Sequence, residues 1–436
     1  MRRVCLTLPT HRSCAATIAA VAEEAAYGAR EFGVEVALLI LDSSPAQVLA
    51  EHREAVAALP PYPGVSVHHL DEDEQRGFLR KVAGRSAAPD PDRLLELLLP
   101  SRISYGAVTD RAFLLAESLG CASLHRRDSD SRYQHHGGEP VFPIHQELTH
   151  LGRRAADLKG SATRSKLPPR SEERRVALVG GSFVGEMSVD VARIREADPE
   201  TYRELVGLSL PEGYPEIWRG HLIDASFRGA GDTAFDGDRT VLAPVSPTRV
   251  DMCNVALDHE VYRRVPLPPA TDTIGTDYFL LGLAHDARLP GVEHNRHIVN
   301  FHTAERRTDA GFLAYQLRFA RFLLAKAYLN AVHARTKEAG DDLLDGEGLL
   351  RTSVVTEYVR DSLARDPEED AHRLGTIEAA YRRLGGRYAE VADALAARRA
   401  PLLAEVRYGM ADFAFLLENW QALTRACSDA GLSVTR

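Results

Sequence analysis

Two aspartates one residue apart, Asp128 and Asp130, lie behind a short apolar run in the stretch "SLHRRDSDSRYQ" at 123–134. Carboxylates this close repel each other, and a site that keeps both ionised usually brings a cation to them. Arg126 and Arg127 directly precede the pair. We therefore interpret the stretch as a divalent-cation site. A polar turn after a strand is the competing interpretation, because Asp and Ser are ordinary turn residues.

Strand and helix patterns alternate through the first half of the chain and must position these aspartates. Apolar, β-branched runs predict strands at 2–9, 34–44 and 64–70. Helical periodicity and end signals predict helices at 14–33, 45–58, 72–84, 91–99 and 104–120. The last helix leads through the strand "CASLH" into the aspartates. This alternation is typical of an α/β fold built from parallel β-α-β units, whose ligands bind at the carboxyl ends of the strands.

Polar clusters follow three of these predicted strands. They are Pro9 to Arg12, Asp42 to Ser44, and Asp128 to Asp130. Because the carboxyl ends of parallel strands meet at one edge of a sheet, we expect all three clusters to face one crevice.

Composition excludes several classes of function. The chain has 436 residues, 44% of them hydrophobic and 26% charged, and a net charge of −9. An acidic balance argues against a general nucleic-acid binder. We expect no membrane span, because no run of about 18 apolar residues occurs, and no signal peptide. Five widely spaced cysteines without a C-x-x-C pair indicate a reducing, cytoplasmic location.

The second half of the chain changes character. Residues 160–174 are polar and Pro-rich and predict a loop or linker, and strand signals resume at 175–189 and 240–265. From 309 the pattern becomes helical, with apolar stripes containing Phe312, Tyr315, Phe319, Phe322, Phe413 and Trp420. We expect these stripes to pack against the catalytic half or to form a homodimer interface.

The order of these parts resembles the nucleotide-sugar-dependent glycosyltransferases of the GT-A fold. In that family a Rossmann-like half leads through a helix carrying a Gly and a basic residue to a strand ending in D-x-D, and "GAVTDRAFLLAESLGCASLHRRDSDS" supplies Gly106, Arg111, Asp128 and Asp130 in that order. A later stretch, "CNVALDHEVYRRVPLPPATDTIGTDYFLLG", places Gly275-Thr276-Asp277 where Glu-Asp is common in the family. This chain therefore has the Asp of that family pair, as Asp277, and lacks the Glu.

The resemblance implies an architecture. We expect a Rossmann-like GT-A mixed sheet flanked by helices over 1–308, with a nucleotide-binding half at 1–135 and an acceptor half at 175–308. A C-terminal α-helical domain would follow at 309–436.

The resemblance also implies a divalent cofactor, Mn²⁺ or Mg²⁺, and the residues that hold it. Asp130 would bind the metal directly, and Asp128 would contact the ribose or a metal-bound water. A later His often completes the ligand set. Of His294, His297 and His302 we favour His302, because it follows the strand-like "HIVNF". Surface or hydrogen-bonded histidines remain the alternative.

Further roles follow for the donor and the acceptor. The donor nucleotide would be contacted by Asp42, which would bind base or ribose hydroxyls, and by Pro9, Thr10, Arg12 and Arg111. Asp277 would act as the base for the acceptor hydroxyl or hold the sugar. The donor sugar or the acceptor would meet Gly138, Glu139 and Gly181.

The predicted activity is metal-dependent transfer of a sugar from a nucleotide-sugar donor to a small-molecule or glycan acceptor hydroxyl. One alternative is a nucleotidyltransferase acting on a sugar phosphate, although "LPTHRSCAA" lacks the glycine-rich phosphate loop such an enzyme ordinarily carries. Another is a non-catalytic, transferase-like scaffold. The sequence leaves the donor, the acceptor and the choice between inversion and retention open.

Overall fold

A computed structural model describes residues 1–187, 189, 191–211, 213, 215–302, 304 and 307–430. The strands are β1 (Arg3–Thr10), β2 (Glu35–Asp42), β3 (Val65–Leu70), β4 (Ser123–Arg126), β5 (Ser131–Tyr133), β6 (His135–His136), β7 (Glu139–Pro140), β8 (Arg164–Ser165), β9 (Leu178–Gly180), β10 (Phe183–Gly185), β11 (Thr240–Pro244), β12 (Val255–Asp258), β13 (Pro290–His294) and β14 (Ile298–Asn300).

The α-helices are α1 (Ala15–Phe32), α2 (Ala46–Ala57), α3 (Glu72–Arg85), α4 (Pro91–Leu98), α5 (Tyr105–Ser118), α6 (Ile144–His150), α7 (Ala192–Ala197), α8 (Pro199–Gly207), α9 (Glu216–Ala225), α10 (His259–Tyr262), α11 (Phe279–Asp286), α12 (Asp309–Ala339), α13 (Thr352–Ser362), α14 (Pro367–Leu384), α15 (Arg387–Ala397) and α16 (Arg399–Ala430).

One mixed sheet organises the described residues, with strands in the order β3-β2-β1-β4-β12-β9-β13-β11-β8. Strands β3, β2, β1 and β4 run parallel, and β12 pairs antiparallel with both β4 and β9. Parallel strands buried on both faces need continuous apolar runs, and β2 has one from Val36 to Leu41. The predicted fold class is confirmed: this is an α/β protein with a mixed sheet flanked by helices and a helical C-terminal region.

Smaller strand groups surround the metal turn predicted from the sequence. Strands β10, β14 and β5 form a second sheet, and β6 and β7 form a hairpin. The stretch 160–174, predicted as a loop or linker, instead contributes β8 to the edge of the large sheet, where it pairs parallel with β11. A two-residue strand leaves no period-2 pattern to detect, so composition alone could not reveal it.

The C-terminal helices share one apolar core with the sheet. Rings of Phe279 and Phe413 meet edge to face with centroids 5.0 Å apart, and Trp420 Nε1 donates a hydrogen bond of 2.7 Å to the carbonyl of Tyr262. The core runs without interruption from Cys5 in β1 to Cys427 in α16. The aromatic stripes therefore pack within this chain, which removes the apolar surface that suggested a homodimer. Residues 431–436 of the predicted helical region lie outside the described residues.

Each of the five cysteines is buried and free of disulfide bonds. Within the described ranges, no helix combines the length and the apolarity needed to cross a bilayer.

Candidate active site

A cavity of about 460 Å³ opens at the carboxyl ends of β1 and β4, which is the size of a typical small-molecule site. Its polar wall contains residues of all three clusters predicted at strand ends: Pro9, Thr10, His11, Arg12, Ser43, Asp128, Ser129 and Asp130. Apolar side chains also line the cavity, and some come from the C-terminal region, with Tyr315 and Phe322 of α12. The alternation of strands and helices thus brings residues that are distant in sequence to one crevice.

A single guanidinium connects two acidic parts of this cavity. Arg126, the last residue of β4, is buried and donates from Nε to Asp128 at 3.1 Å and from Nη1 to Asp277 at 2.8 Å. Asp251 lies on the same wall and accepts hydrogen bonds from the hydroxyl of Tyr278 and the backbone N–H of Cys253. Two carboxylates are therefore paired with one buried cation, and Asp251 lies close enough to Asp128 to affect its ionisation.

This crowding shifts the ionisation of Asp128. Burial raises its pKa to about 6, and Asp130, Asp277 and Asp251 add to the rise while Arg126 opposes it. A cavity that accumulates negative charge to this degree is one in which an added cation gains electrostatic free energy.

Buried ion pairs of Arg127 hold the turn that carries Asp128 and Asp130. It is fully buried and donates from Nε and Nη2 to both carboxylate oxygens of Glu24, at 2.9 and 2.8 Å, and from Nη2 to Glu147 at 2.9 Å. Glu147 also accepts a hydrogen bond of 2.7 Å from His125, and Glu24 accepts one of 2.6 Å from Tyr133. His125 and Arg127, which precede the aspartates, therefore attach this turn to Glu24 of α1 and Glu147 of α6.

The predicted metal ligands lie next to two paired strands, but only Asp130 lines the cavity; His302 is not among the described residues that line it. Asp130 directly precedes β5, whose Ser131 is paired with Asn300 at the end of β14, and His302 follows two residues later. The ring Nε2 of His302 donates to the carbonyl of Met187 at 2.8 Å. A histidine fixed in this way through one ring nitrogen is typical of metal ligands.

These groups fit a divalent cation chemically. The carboxylates of Asp128 and Asp130 are oxygen donors that suit Mn²⁺ or Mg²⁺, whereas no nitrogen of His302 joins them in a three-ligand cluster within the described residues. In the structure Asp130 instead accepts a hydrogen bond of 3.2 Å from Arg12, with both side chains 16% exposed. Arg12 thus provides the positive charge that balances Asp130 in this structure.

Asp42 is buried behind the cavity and does not line it, although the sequence predicted a contact with the nucleotide. It is 1% exposed, and its Oδ2 accepts hydrogen bonds from His52 at 2.7 Å and from His69 at 2.8 Å. Burial alone would raise the pKa of Asp42, but these bonds and those from Ser44 hold it well below its usual value. The neighbouring Ser43, and not Asp42, lines the cavity. Nothing in the pattern of β2 revealed the two histidines, because both lie on other elements.

The side chains of Asp42, His52 and His69 have possible ligand atoms within 4.8 Å of one another, close enough to hold a metal ion. His52 Nε2 accepts the backbone N–H of Cys14 at 3.0 Å, so His52 Nδ1 carries the proton shared with Asp42. Hydrogen bonds therefore account for this cluster without a cation.

Arg111 lines the cavity but does not pair with Asp128. Its Nε donates to Gln75 at 2.8 Å and its Nη1 to the carbonyl of Leu98, and burial lowers its pKa to about 10. Its helix lies tightly against the carbonyl of Pro268, leaving no room for a side chain at Gly106.

Three predicted sugar or acceptor contacts lie away from the cavity. Gly138 and Glu139 belong to the exposed hairpin of β6 and β7, and Gly137 and Gly138 have φ values of 61° and 88°, as a tight turn between two strands requires. A Cβ on Gly181 would lie 2.6 Å from Cε1 of His294, so this glycine serves close packing. None of the three lines the cavity within the described residues.

Several cavity residues carried no usable sequence signal. Arg126 was only a neighbour of the D-x-D pair, and Asp251, Phe227 and Asn300 stand in loops or strand ends without a motif. Lys326 was one polar residue in a long helical stretch. The helical period places it on the face of Phe322, which is the one signal that could have linked it to the aromatic stripe.

Fold and cavity together define a class: an α/β protein whose ligand site, at the carboxyl ends of parallel strands, combines clustered carboxylates with buried arginines. The chain belongs to a family described as "Family of unknown function (DUF6271)", whose model matches residues 2–436. No curated protein matches it.

Several solved structures are similar to this chain at low identity. Glucosyl-3-phosphoglycerate synthase from Mycobacterium tuberculosis, in complex with Mn²⁺, UDP-glucose and phosphoglyceric acid, is 17% identical over 74% of this chain and 79% of its own, with a TM-score of 0.37. The mannosyltransferase PcManGT from Pyrobaculum calidifontis, in complex with GDP-Man and Mn²⁺, is 12% identical over 96% and 87%, with a TM-score of 0.35. TarS from S. aureus, in complex with UDP, is 12% identical over 98% and 90%, with a TM-score of 0.31. Similarity at this level does not define a reaction.

Proposed function

We propose that this protein is a metal-dependent glycosyltransferase that moves a sugar from a nucleotide-sugar donor to a hydroxyl of a small-molecule or glycan acceptor. The observation that carries the proposal is the convergence of Asp128, Asp130 and Asp277 on one cavity at the carboxyl ends of parallel strands, joined through Arg126. Paired acids at this edge suit a cation-bound diphosphate.

On the donor side the departing diphosphate needs its charge neutralised. Asp130 and His302 would hold Mn²⁺ or Mg²⁺, with Asp128 at the ribose or a metal-bound water, and the bound cation would supply positive charge to the phosphate oxygens. Arg12, released from Asp130, would contact the diphosphate together with Arg111.

The nucleoside would lie along the strand ends. Pro9, Thr10 and Ser43 line the cavity there. Because Asp42 lies behind Ser43 and accepts the N–H of Ser44 at 2.9 Å, we assign it the task of fixing this loop. The nucleoside would thus meet backbone and hydroxyl groups held by a buried carboxylate.

On the acceptor side Asp277 is the group that would accept the proton of the hydroxyl or orient the sugar. Its ion pair with Arg126, at 2.8 Å, fixes the position of the carboxylate that would act as the base. The proposal includes a reducing, cytoplasmic setting, which suits five free cysteines.

A screen of UDP-, GDP-, ADP- and dTDP-sugars tests this function. We expect Mn²⁺-dependent release of a nucleoside diphosphate from one donor class by slow hydrolysis without acceptor. A nucleotidyltransferase would instead release pyrophosphate when given a nucleoside triphosphate and a sugar phosphate. Absence of any metal-dependent turnover or binding would favour a scaffold.

A further inference from the structure

Helix α12 presents a cationic side chain to the cavity. Lys326 lines it together with Phe322, one helical turn earlier, and Tyr315, two further turns back. Lys326 is partly buried, and within the described part of the chain its ammonium group has no hydrogen-bond or ion-pair partner. A partly buried ammonium group without a partner gains electrostatic free energy when an anion joins it.

The nearest charges do not supply that anion. Burial and Arg373 lower the pKa of Lys326 to about 8, against an opposing effect of Asp286, so the ammonium form still prevails at pH 7. Asp286 is already occupied: its Oδ2 accepts hydrogen bonds from His333 at 3.0 Å and from Thr336 at 2.6 Å. Lys326 therefore retains its charge and its capacity to donate.

Aromatic side chains line the same cavity as Lys326. The ring of Phe322 contacts Phe227 edge to face at 6.3 Å, and it packs over Gly275, where a Cβ would lie 2.7 Å away. Gly275 has a φ of 68° and lies two residues before Asp277 in the loop that precedes α11. Asp128 and Asp130 follow β4, Asp277 lies in the loop before α11, and Phe322 and Lys326 belong to α12.

We propose that Lys326 binds an anionic group of the acceptor, so that the acceptor is a hydroxyl compound with an apolar body and a carboxylate or phosphate. That the bound anion is the acceptor rests on the proposed transferase function. The presence of an anion site at Lys326 does not depend on that function. A neutral sugar acceptor would leave the ammonium group unpaired.

Binding of matched acids and amides to the full-length protein tests this proposal. The probes are para-hydroxybenzoate and para-hydroxyphenylacetate, each with its amide, and phenyl phosphate with phenol, titrated by calorimetry or ligand-observed NMR. We expect at least one anion to bind about tenfold more tightly than its neutral counterpart. The preference should disappear in Lys326→Met and persist in Lys326→Arg and in Lys337→Met, which removes an exposed charge from the same helix.

Equal binding of acids and neutral counterparts throughout the panel would overturn the proposal, and so would a preference that survives Lys326→Met. If Lys326→Met does not fold, loss of the preference in Lys326→Gln decides in its place. Mn²⁺-dependent UDP or GDP binding is measured separately on the same samples. Its absence would contradict the transferase function and leave the anion site standing.

Discussion

Arg126 donates a hydrogen bond of 2.8 Å to Asp277, joining the end of β4 to the loop that precedes α11. The same guanidinium contacts Asp128, so the side chain we assign to the donor and the side chain we assign to the acceptor share one cation. Because all three groups are held in a largely buried site, their relative positions are fixed before a ligand binds.

Removing this shared cation should be costly. Arg126→Gln leaves buried carboxylates without a partner, and we expect the free energy of unfolding to fall by about 3 to 5 kcal/mol. The double variant Arg126→Gln with Asp277→Asn should recover part of that loss, because one uncompensated charge is gone. Urea denaturation of the two single variants and the double variant measures the coupling. Strictly additive losses would show that the pair is not coupled.

His302 should affect metal-linked binding and little else. His302→Ala removes the acceptor nitrogen that the bond to the Met187 carbonyl orients. We expect the Mn²⁺-dependent gain in nucleoside diphosphate affinity to fall about tenfold or more, with unchanged metal-free affinity. His372→Ala, at an exposed position of α14, is the matched control. An equal loss in both variants, or a loss without Mn²⁺, would remove His302 from the ligand set.

The buried His294 predicts acid sensitivity. Burial lowers its pKa to about 3, while in the unfolded chain the value is about 6.5. Below pH 6.5 the unfolded chain takes up a proton that the folded protein cannot accept until about pH 3. This histidine's contribution to stability is therefore complete above pH 6.5 and falls by up to about 1.4 kcal/mol per pH unit below it.

Denaturation at pH 7 and pH 5 compares wild type with His294→Gln. The variant should lose less stability between the two pH values than wild type does, and His372→Gln should behave as wild type. An identical pH dependence in all three proteins would contradict a neutral, buried His294.

The C-terminal helices should be indispensable for folding. They share their core with the sheet, and Phe322 packs over Gly275 beside the loop of Asp277. We expect a chain ending at Thr308 to lose cooperative unfolding, as followed by circular dichroism during heating. Phe322→Leu in the full chain should remain folded and lower acceptor transfer more than donor hydrolysis. A truncated chain that unfolds cooperatively would show that 1–308 is a separate domain.

The sequence predicted those features that depend on local order along the chain. The polar clusters at Thr10, Asp42 and Asp128 were found because apolar runs stop at or just before them, and their convergence followed from the parallel connection. The partners of those residues were not predictable in the same way. His52 and His69 donate hydrogen bonds to Asp42 from other elements. Lys326 lines the cavity although it lies about two hundred residues after the aspartate pair, and the sequence periodicity does not show this tertiary contact.

The central claim is that Asp130 belongs to a cation-dependent nucleotide site. Calorimetric titration of UDP and GDP into wild type, with and without Mn²⁺, measures the metal-linked affinity directly. We predict at least tenfold tighter binding of one nucleotide with Mn²⁺. Asp130→Asn should abolish this gain, and Asp393→Asn, at an exposed site on α15, should preserve it. Metal-independent binding in wild type, or a gain that survives in Asp130→Asn, would contradict the account.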